Sequence, residues 1–323
     1  MARRGQVAPD GTPWRIVPGL AGMSTDVLAE TLDGGQAFRW TPQTDRSWIG
    51  IWGRNVVRIR VGPAGDIEWS ALAGDEAAVT HYFGAEADLP GATDALPWRS
   101  DAHLARCIQA FPGLRILRQQ FGETLLCFLC SATKQIVQIK QMVALLAERH
   151  GERIAVAAAD RGRPGSASPA TAYYALPTWE KLATIPEREL RDCLLGFRAK
   201  YIAETATLLA RHPGWLAETE NLPYTQAKER LCSLPGVGEK IADCVLLFGA
   251  GKLEAFPVDV WILRTLALRY DLHGWKPAAL SQFGRAHFGA YAGLAQQFLF
   301  AWERRLGRSV AQGTVAAPPS ISR

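Results

Sequence analysis

Apolar residues recur along this chain with two different periods. Over the first hundred residues the period is two. SWIGIWG (47–53) and NVVRIRVG (55–62) lie almost end to end, and in the second Val57, Ile59 and Val61 alternate with Arg58 and Arg60. That alternation predicts a strand with one wet face. IEWSAL (67–72) follows the turn-forming PAGD and predicts a further antiparallel strand. A helix is expected near 24–32, where Ser24 or Thr25 can cap it and Gly34–Gly35 can stop it. From Asp101 onward the spacing becomes three and four. DAHLARCIQAF, ETLLCFLCSA, IVQIKQMVALLAERHG, ERELRDCLLGF, AKYIAETATLLARH, YTQAKERLCSL (224–234), KIADCVLLFGA (240–250), PVDVWILRTLALRY (257–270) and AQQFLFAWERRL (295–306) all read as helices. GRPGSASPATA (162–172) is too rich in Gly, Pro and Ser to pack and reads as an exposed loop. The expected organisation is an α/β unit with an antiparallel sheet over 1–100, an all-helical unit over 101–307, and a disordered tail over 308–323.

Composition narrows the class without changing that picture. Of 323 residues, 48% are apolar and 21% charged, which is ordinary for a globular protein. No apolar run is long enough for a membrane span, and MARRGQVAPDG lacks the apolar stretch of a signal peptide, so no membrane partner and a cytoplasmic location are expected. A net charge of +5 tilts mildly toward polyanions. The six cysteines sit mostly in apolar contexts. Cys127 and Cys130 form a C-x-x-C, but the frame LLCFLCSA is apolar and no second pair completes four ligands. They are expected to pack as small hydrophobes on one helix face, with no metal.

Candidate chemistry sits in LPGVGEKIADC (234–244). Two glycines flanking Val237 join two predicted helices in a turn that glycine adopts without steric cost. Amides at such a helix N-terminus suit a phosphate oxygen, which makes Gly236, Val237 and Gly238 candidate DNA-backbone contacts. GVGEKIA partly matches a dinucleotide-binding fingerprint, but that fingerprint needs a preceding strand and YTQAKERLCSL is helical. Lys240 opens the second helix. A lysine attacks carbon only as the free amine, and a helix N-terminus and a nonpolar pocket both disfavour its ammonium form. Asp259, in PVDV, can steady an oxocarbenium-like sugar or shuttle a proton. The plainer alternative has Lys240 binding phosphate and Asp259 capping the helix that follows it.

LPGVGEKIADC together with PVDV resembles the signature of the helix–hairpin–helix DNA glycosylases, specifically the bifunctional 8-oxoguanine DNA glycosylase/lyases. The resemblance runs from GQAFRW (35–40) through GFRAKY (196–201) to YAGLAQQFLF (291–300). It implies an α+β fold: an N-terminal antiparallel β-sheet domain with flanking helices (TBP-like), then an all-helical glycosylase domain with the hairpin near 224–250. It also implies a monomer acting on double-stranded DNA containing an oxidised purine, nucleoid-associated if bacterial. No metal or organic cofactor is implied for catalysis, and a monovalent cation at a hairpin carbonyl is left open. By this resemblance Lys240 attacks the deoxyribose carbon of an extruded nucleotide, expels the base and forms a Schiff base, and β-elimination then nicks the strand. Asp259 assists base departure. Cys244 and Phe300 sandwich the base, Gln296 bonds its pairing edge, and the main-chain carbonyl of Gly35 reads the lesion. That reading has a physical rationale. 8-Oxoguanine carries a hydrogen on N7 where guanine has a lone pair, so one fixed carbonyl attracts the first and repels the second.

The chain also departs from the pattern of eukaryotic members. Thr133, Lys134 and Gln135 replace an asparagine triplet whose first member fills the hole left by the extruded base. Gln138 replaces an arginine that helps read the orphaned cytosine, although Arg198 keeps that arginine's partner position. Phe197 replaces a tyrosine wedge, and Trp261 replaces a histidine placed beside the lesion; core packing is the alternative for both aromatics. These changes bear on the preference for cytosine opposite the lesion and leave the excision chemistry intact. Two other readings compete. An alkylated-base glycosylase shares the plan and the aspartate but lacks the lysine, and a non-catalytic DNA-binding protein needs only the hairpin. An iron–sulfur member is disfavoured because no cysteine cluster follows Asp259.

Overall fold

A computed structural model describes residues 7–9, 11–156 and 172–311. The chain opens with β1 (Arg15–Ala21) and α1 (Thr25–Asp33), then β2 (Trp40–Pro42), β3 (Trp48–Trp52), β4 (Asn55–Val61) and β5 (Asp66–Ala73). These strands form one antiparallel sheet in the order β1-β5-β4-β3-β2. The three strands and the helix expected from the pattern are present, and Ser24 caps α1 by accepting from the Val27 N–H. β1 and β2, at the two edges, were not anticipated, because β2 is three residues long and β1 (RIVPGLA) contains Pro and Gly.

The expectation of one wet face for β4 needs correcting in part. Successive strand residues point to opposite faces, and Val56 and Val57 are both buried, one on each side of the sheet. Val57 and Ile59 enter the main core, whereas Val56 joins Ile49 and Leu72 in a smaller cluster. A two-stranded ribbon, β6 (Arg153–Ile154) with β7 (Tyr173–Tyr174), covers that cluster through Ile154 and Tyr173. Arg60, on the outer face, lies over the Trp14 ring at 4.2 Å and pairs with Glu68 at 2.8 Å.

Helices fill the rest: α2 (Glu76–Tyr82), α3 (Leu89–Asp94), α4 (Ala102–Ala110), α5 (Phe121–Leu129), α6 (Ile136–His150), α7 (Trp179–Ala183), α8 (Glu187–Leu190), α9 (Arg198–Arg211), α10 (Trp215–Asn221), α11 (Tyr224–Cys232), α12 (Glu239–Phe248), α13 (Val260–Tyr270), α14 (Pro277–Phe288) and α15 (Ala292–Ala311). ERELRDCLLGF is not the continuous helix its spacing predicts. α8 gives way to a π-type segment, Arg191–Leu195, in which Leu194 has φ 62°, and Gly196 follows at φ 57°. Two left-handed residues so close together end any α-helix. PVDVWILR also starts later than its spacing suggested, because Asp259 is the N-cap and α13 begins at Val260. α15 continues to Ala311, so the first four residues of the expected tail are helical; residues 312–323 and 162–171 of the two expected irregular stretches lie outside the described residues.

Two large cores result. One gathers α5, α6, α9, α11 and α12 around Leu125, Leu146, Ile202, Leu231 and Leu246. The other packs the inner sheet face, through Val57, Ile59 and Trp69, against Leu104 of α4, Ile262 and Leu266 of α13, and Phe298 and Leu299 of α15. The sheet and the C-terminal helices therefore share one interior. No helix among the described residues is long and apolar enough to cross a membrane.

Candidate active site

The hairpin folds as its glycines dictate. Gly236 has φ 76°, and a Cβ there would sit 2.5 Å from the Tyr201 ring, so only glycine fits. Val237 differs from the expectation for it. Its side chain is buried, and its N–H turns inward to the Leu234 carbonyl at 3.1 Å, so it pins the turn rather than offering an amide outward. Gly236 and Gly238 are the exposed part of the turn. A polar cluster absent from the sequence reading fixes the angle between the two helices. Asp243 accepts from the Tyr224 hydroxyl at 2.6 Å and from Lys228 at 3.0 Å, and Ser281 of α14 donates to it at 3.3 Å. Its burial raises the carboxyl above the ordinary range, and Lys228 acts against that shift.

Lys240 lies in the first turn of α12, half-buried, with its Nζ 5.2 Å from the centre of the Phe128 ring. It is electrostatically coupled to both Cys244, one turn on, and Asp259. Asp259 lies just before α13. Its Oδ1 accepts from the Trp261 N–H at 3.0 Å and the Ile262 N–H at 2.9 Å. The capping alternative is therefore true, and it coexists with proximity to the lysine. Burial raises the Asp259 carboxyl above the usual range; the Ile262 N–H, Lys240 and the Trp261 N–H pull it back, in that order. Burial likewise pushes the Cys244 thiol up to about 12, so it presents a neutral, polarisable face.

Of the expected lesion-reading residues, Gly35 meets Phe300, and Gln296 shares the helix α15 with Phe300. Gly35 follows α1 with φ 106°, a backbone state that ends the helix and that a side chain would strain. A Cβ on Gly35 would lie 3.1 Å from Ile136 and 3.8 Å from Phe300, which places the glycine beside Phe300. Gln296, one turn before Phe300 on α15, is buried and accepts from Gln297 at 2.7 Å. Asp33 locks these elements together: its carboxylate pairs with Lys140 of α6 at 2.8 Å, and its carbonyl accepts from Arg304 of α15 at 3.2 Å. Gln36, 1% exposed, holds the other side of Gly35. Its Nε2 donates to the Arg115 carbonyl at 3.0 Å, and its Oε1 accepts from the Leu117 N–H at 2.9 Å. Neither Gln36 nor Asp33 was anticipated, although Gln36 stands inside GQAFRW, where its position was the available signal.

Gly35→Ala should cost about 1–3 kcal/mol of stability from the left-handed backbone alone. It should also weaken any discrimination that rests on the Gly35 carbonyl. Thermal unfolding checks the first effect, and relative excision of guanine and 8-oxoguanine checks the second.

The residues expected beside the orphaned base form a second group. Thr133 is exposed with φ 55°, and its hydroxyl accepts from Arg198 Nη2 at 3.1 Å. Arg198 is buried, not projecting. It also donates to the Ala132 and Leu195 carbonyls, and its Nε is buried without a partner. Phe197 is half-exposed, with the Arg198 guanidinium 4.4 Å from its ring centre, so core packing does not describe it. Packing does describe Trp261, whose ring lies against Gly307 of α15. Gln138 turns back to accept from the Gln135 N–H at 3.2 Å, capping α6, while Lys134 stays exposed. Cys127 and Cys130 are buried free thiols at the end of α5, in the packing role expected for them.

Comparisons with known proteins show what the chain is similar to. The family model for the 8-oxoguanine DNA glycosylase N-terminal domain matches residues 23–125. The N-glycosylase/DNA lyase OGG1 of Arabidopsis thaliana is 30% identical over 290 residues, 84% of this chain and 76% of that protein. The Clostridium acetobutylicum 8-oxoguanine glycosylase/lyase, in complex with duplex DNA containing cytosine opposite 8-oxoguanine, superposes with a TM-score of 0.78 at 30% identity, covering 87% of this chain and 92% of that one. A 3-methyladenine DNA glycosylase from Archaeoglobus fulgidus, at 17% identity and a TM-score of 0.68, shares the fold alone. With the hairpin lysine, the capping aspartate and a relative of this identity spanning most of its length, the chain belongs to the 8-oxoguanine DNA glycosylases of the helix–hairpin–helix superfamily.

Proposed function

We infer that this protein is a bifunctional DNA glycosylase that excises 8-oxoguanine from duplex DNA and then cleaves the strand. The observation that carries the residue-level reading is the electrostatic interaction of Lys240, in the first turn of α12, with a half-buried Asp259. The target sugar carbon cannot be reached inside the stack, so the nucleotide is extruded first. Lys240 Nζ then forms a bond to C1′ as the glycosidic bond breaks and the base leaves with its electron pair and a proton. Transfer of a proton from Lys240 Nζ to the ring oxygen O4′ breaks the C1′–O4′ bond and leaves a C1′=Nζ Schiff base, and removal of a C2′ proton then expels the 3′ phosphate with the C3′–O electron pair. Asp259 steadies the positive charge that develops on the sugar.

Cys244 and Phe300 form the apolar walls for the base, Gln296 recognises its pairing edge and the Gly35 carbonyl accepts from N7–H. Support for this comes from the neutral Cys244 thiol, the buried Gln296 amide and the nearness of Gly35 to Phe300. Gly236 and Gly238, with Val237 as their internal pin, hold the backbone phosphate. Thr133, Arg198 and Phe197 face the gap left in the duplex, and the exposed part of Trp261 flanks it. Reading an orphaned cytosine through Arg198 requires exchanging its bonds to Ala132 and Thr133 for bonds to the base. The proposed division of labour places all of these groups except Gly35 in residues 101–307, with 1–100 supplying the lesion-reading loop. The protein acts as a monomer.

Borohydride added to the active protein with an 8-oxoguanine duplex should trap a covalent complex. Excision without an adduct would exclude the lysine mechanism. Equal rates with cytosine and adenine opposite the lesion are expected if Gln138 and Thr133 have weakened cytosine reading, and a strong cytosine preference would return that role to Arg198.

A further inference from the structure

A cavity of about 800 Å³ opens on the side of α15 away from the lesion pocket. Gln296 and Phe300 are one turn apart and share a face. Phe298, midway between them, is rotated by roughly 200° at about 100° per residue and lines the cavity instead. Leu20, Met23, Trp98 and Ile108 form much of the remaining wall. The volume falls within the range that holds a small organic ligand, roughly 300–1,000 Å³.

Two charged groups, Arg115 and Asp94, line this largely apolar space. Arg115 is only 5% exposed, and its Nη2 makes a single long contact, 3.4 Å, to the Gly84 carbonyl. Its Nε is buried with no partner. No carboxylate offsets the burial, which draws the guanidinium down to about 10. Asp94 also lines the cavity, but it is paired with Arg99 at 2.7 Å. Buried cations are ordinarily paired, because an uncompensated one is costly. A guanidinium fork with open donors beside an apolar chamber has the chemistry to receive a planar or tetrahedral anion carried on a hydrocarbon body.

We propose that this cavity is a ligand site for a small amphipathic anion, with its carboxylate or phosphate head on Arg115 and its apolar body along Leu20, Met23, Trp98, Ile108 and Phe298. The site is separate from the excision chemistry. The carbonyl of the same Arg115 nevertheless accepts the Gln36 amide, so the anchor adjoins the loop carrying Gly35.

Calorimetry on the full-length protein without DNA tests this, using octanoate, octyl phosphate and the neutral octanamide as probes. At least one anion should saturate a single site per chain, binding about 10–100-fold more tightly than octanamide. Preference for octanoate assigns a carboxylate head, and preference for octyl phosphate assigns a phosphate. Arg115→Gln should bring the three affinities together. Ala105→Phe, which fills the chamber from α4 and leaves Arg115 in place, should abolish binding of all three. Equal affinity of octanoate, octyl phosphate and octanamide for the folded wild type, no saturable binding of either anion, or anion binding unchanged in Ala105→Phe would each overturn the proposal. The Ala105 variant keeps the test decisive if Arg115→Gln does not fold.

Discussion

Lys240→Gln should reduce borohydride trapping to background and slow 8-oxoguanine excision by at least ~10³-fold, the scale on which a removed covalent nucleophile acts. Duplex affinity should stay within about tenfold, as expected if the hairpin, and not this side chain, holds the phosphates in the proposed way. The salt dependence of binding separates the two roles open to the lysine. Were Lys240 a phosphate contact, its loss would reduce the slope of log affinity against log salt by ~0.9. A nucleophile aimed at a sugar carbon makes no such contact, so the slope should be unchanged. The half-buried lysine above Phe128 also contributes to packing, so unfolding must be followed in parallel. Loss of trapping, affinity and melting temperature together would assign Lys240 a folding role.

Asp259→Asn should slow excision by about 10²–10⁴-fold without lowering stability at neutral pH. Asparagine is as good an N-cap as aspartate, so the bonds to Trp261 and Ile262 can persist. The charge balance favours the variant. Because burial raises the folded-state carboxyl, the folded protein binds more protons than the unfolded chain between the ordinary value and the raised one. Wild-type stability therefore falls as pH rises through that window, and the variant lacks this loss. Catalysis shows the complementary behaviour. If the carboxylate form is the active one, the acid limb of excision lies above the usual carboxylate range and disappears in the variant. Asp259→Ala is the contrasting case, since it removes the cap and should cost about 0.5–2 kcal/mol. Equal excision by wild type and Asp259→Asn would remove Asp259 from the mechanism and leave only its cap.

Much of the fold was legible because its elements carry strong periodicity. NVVRIRVG and IVQIKQMVALLAERHG show their faces without reference to distant residues. The elements that escaped are those whose local signal is weak: β2 has three residues, and the edge strand β1 contains Pro18 and Gly19. ERELRDCLLGF misled for another reason. Its spacing is helical, and only the left-handed backbone at Leu194 and Gly196 reveals the break. Within the site, Lys240 and Asp259 were readable from chemistry and motif. Gln36 and Asp33 were not, because their partners lie about 80 to 270 positions away along the chain. The inward turn of the Val237 amide and the retracted Arg198 are also matters of orientation, which residue type does not encode.

The interior shared by the sheet and α15 has a consequence for how the chain is made. Val17 and Ala301 line the same core, so that core cannot close until residue 301 has left the ribosome. At roughly 5–20 residues per second the interval between those two residues is roughly 15–60 s. Once Ala73 completes β5, the apolar side of the paired strands faces water for the rest of that interval and must be shielded from neighbouring nascent chains.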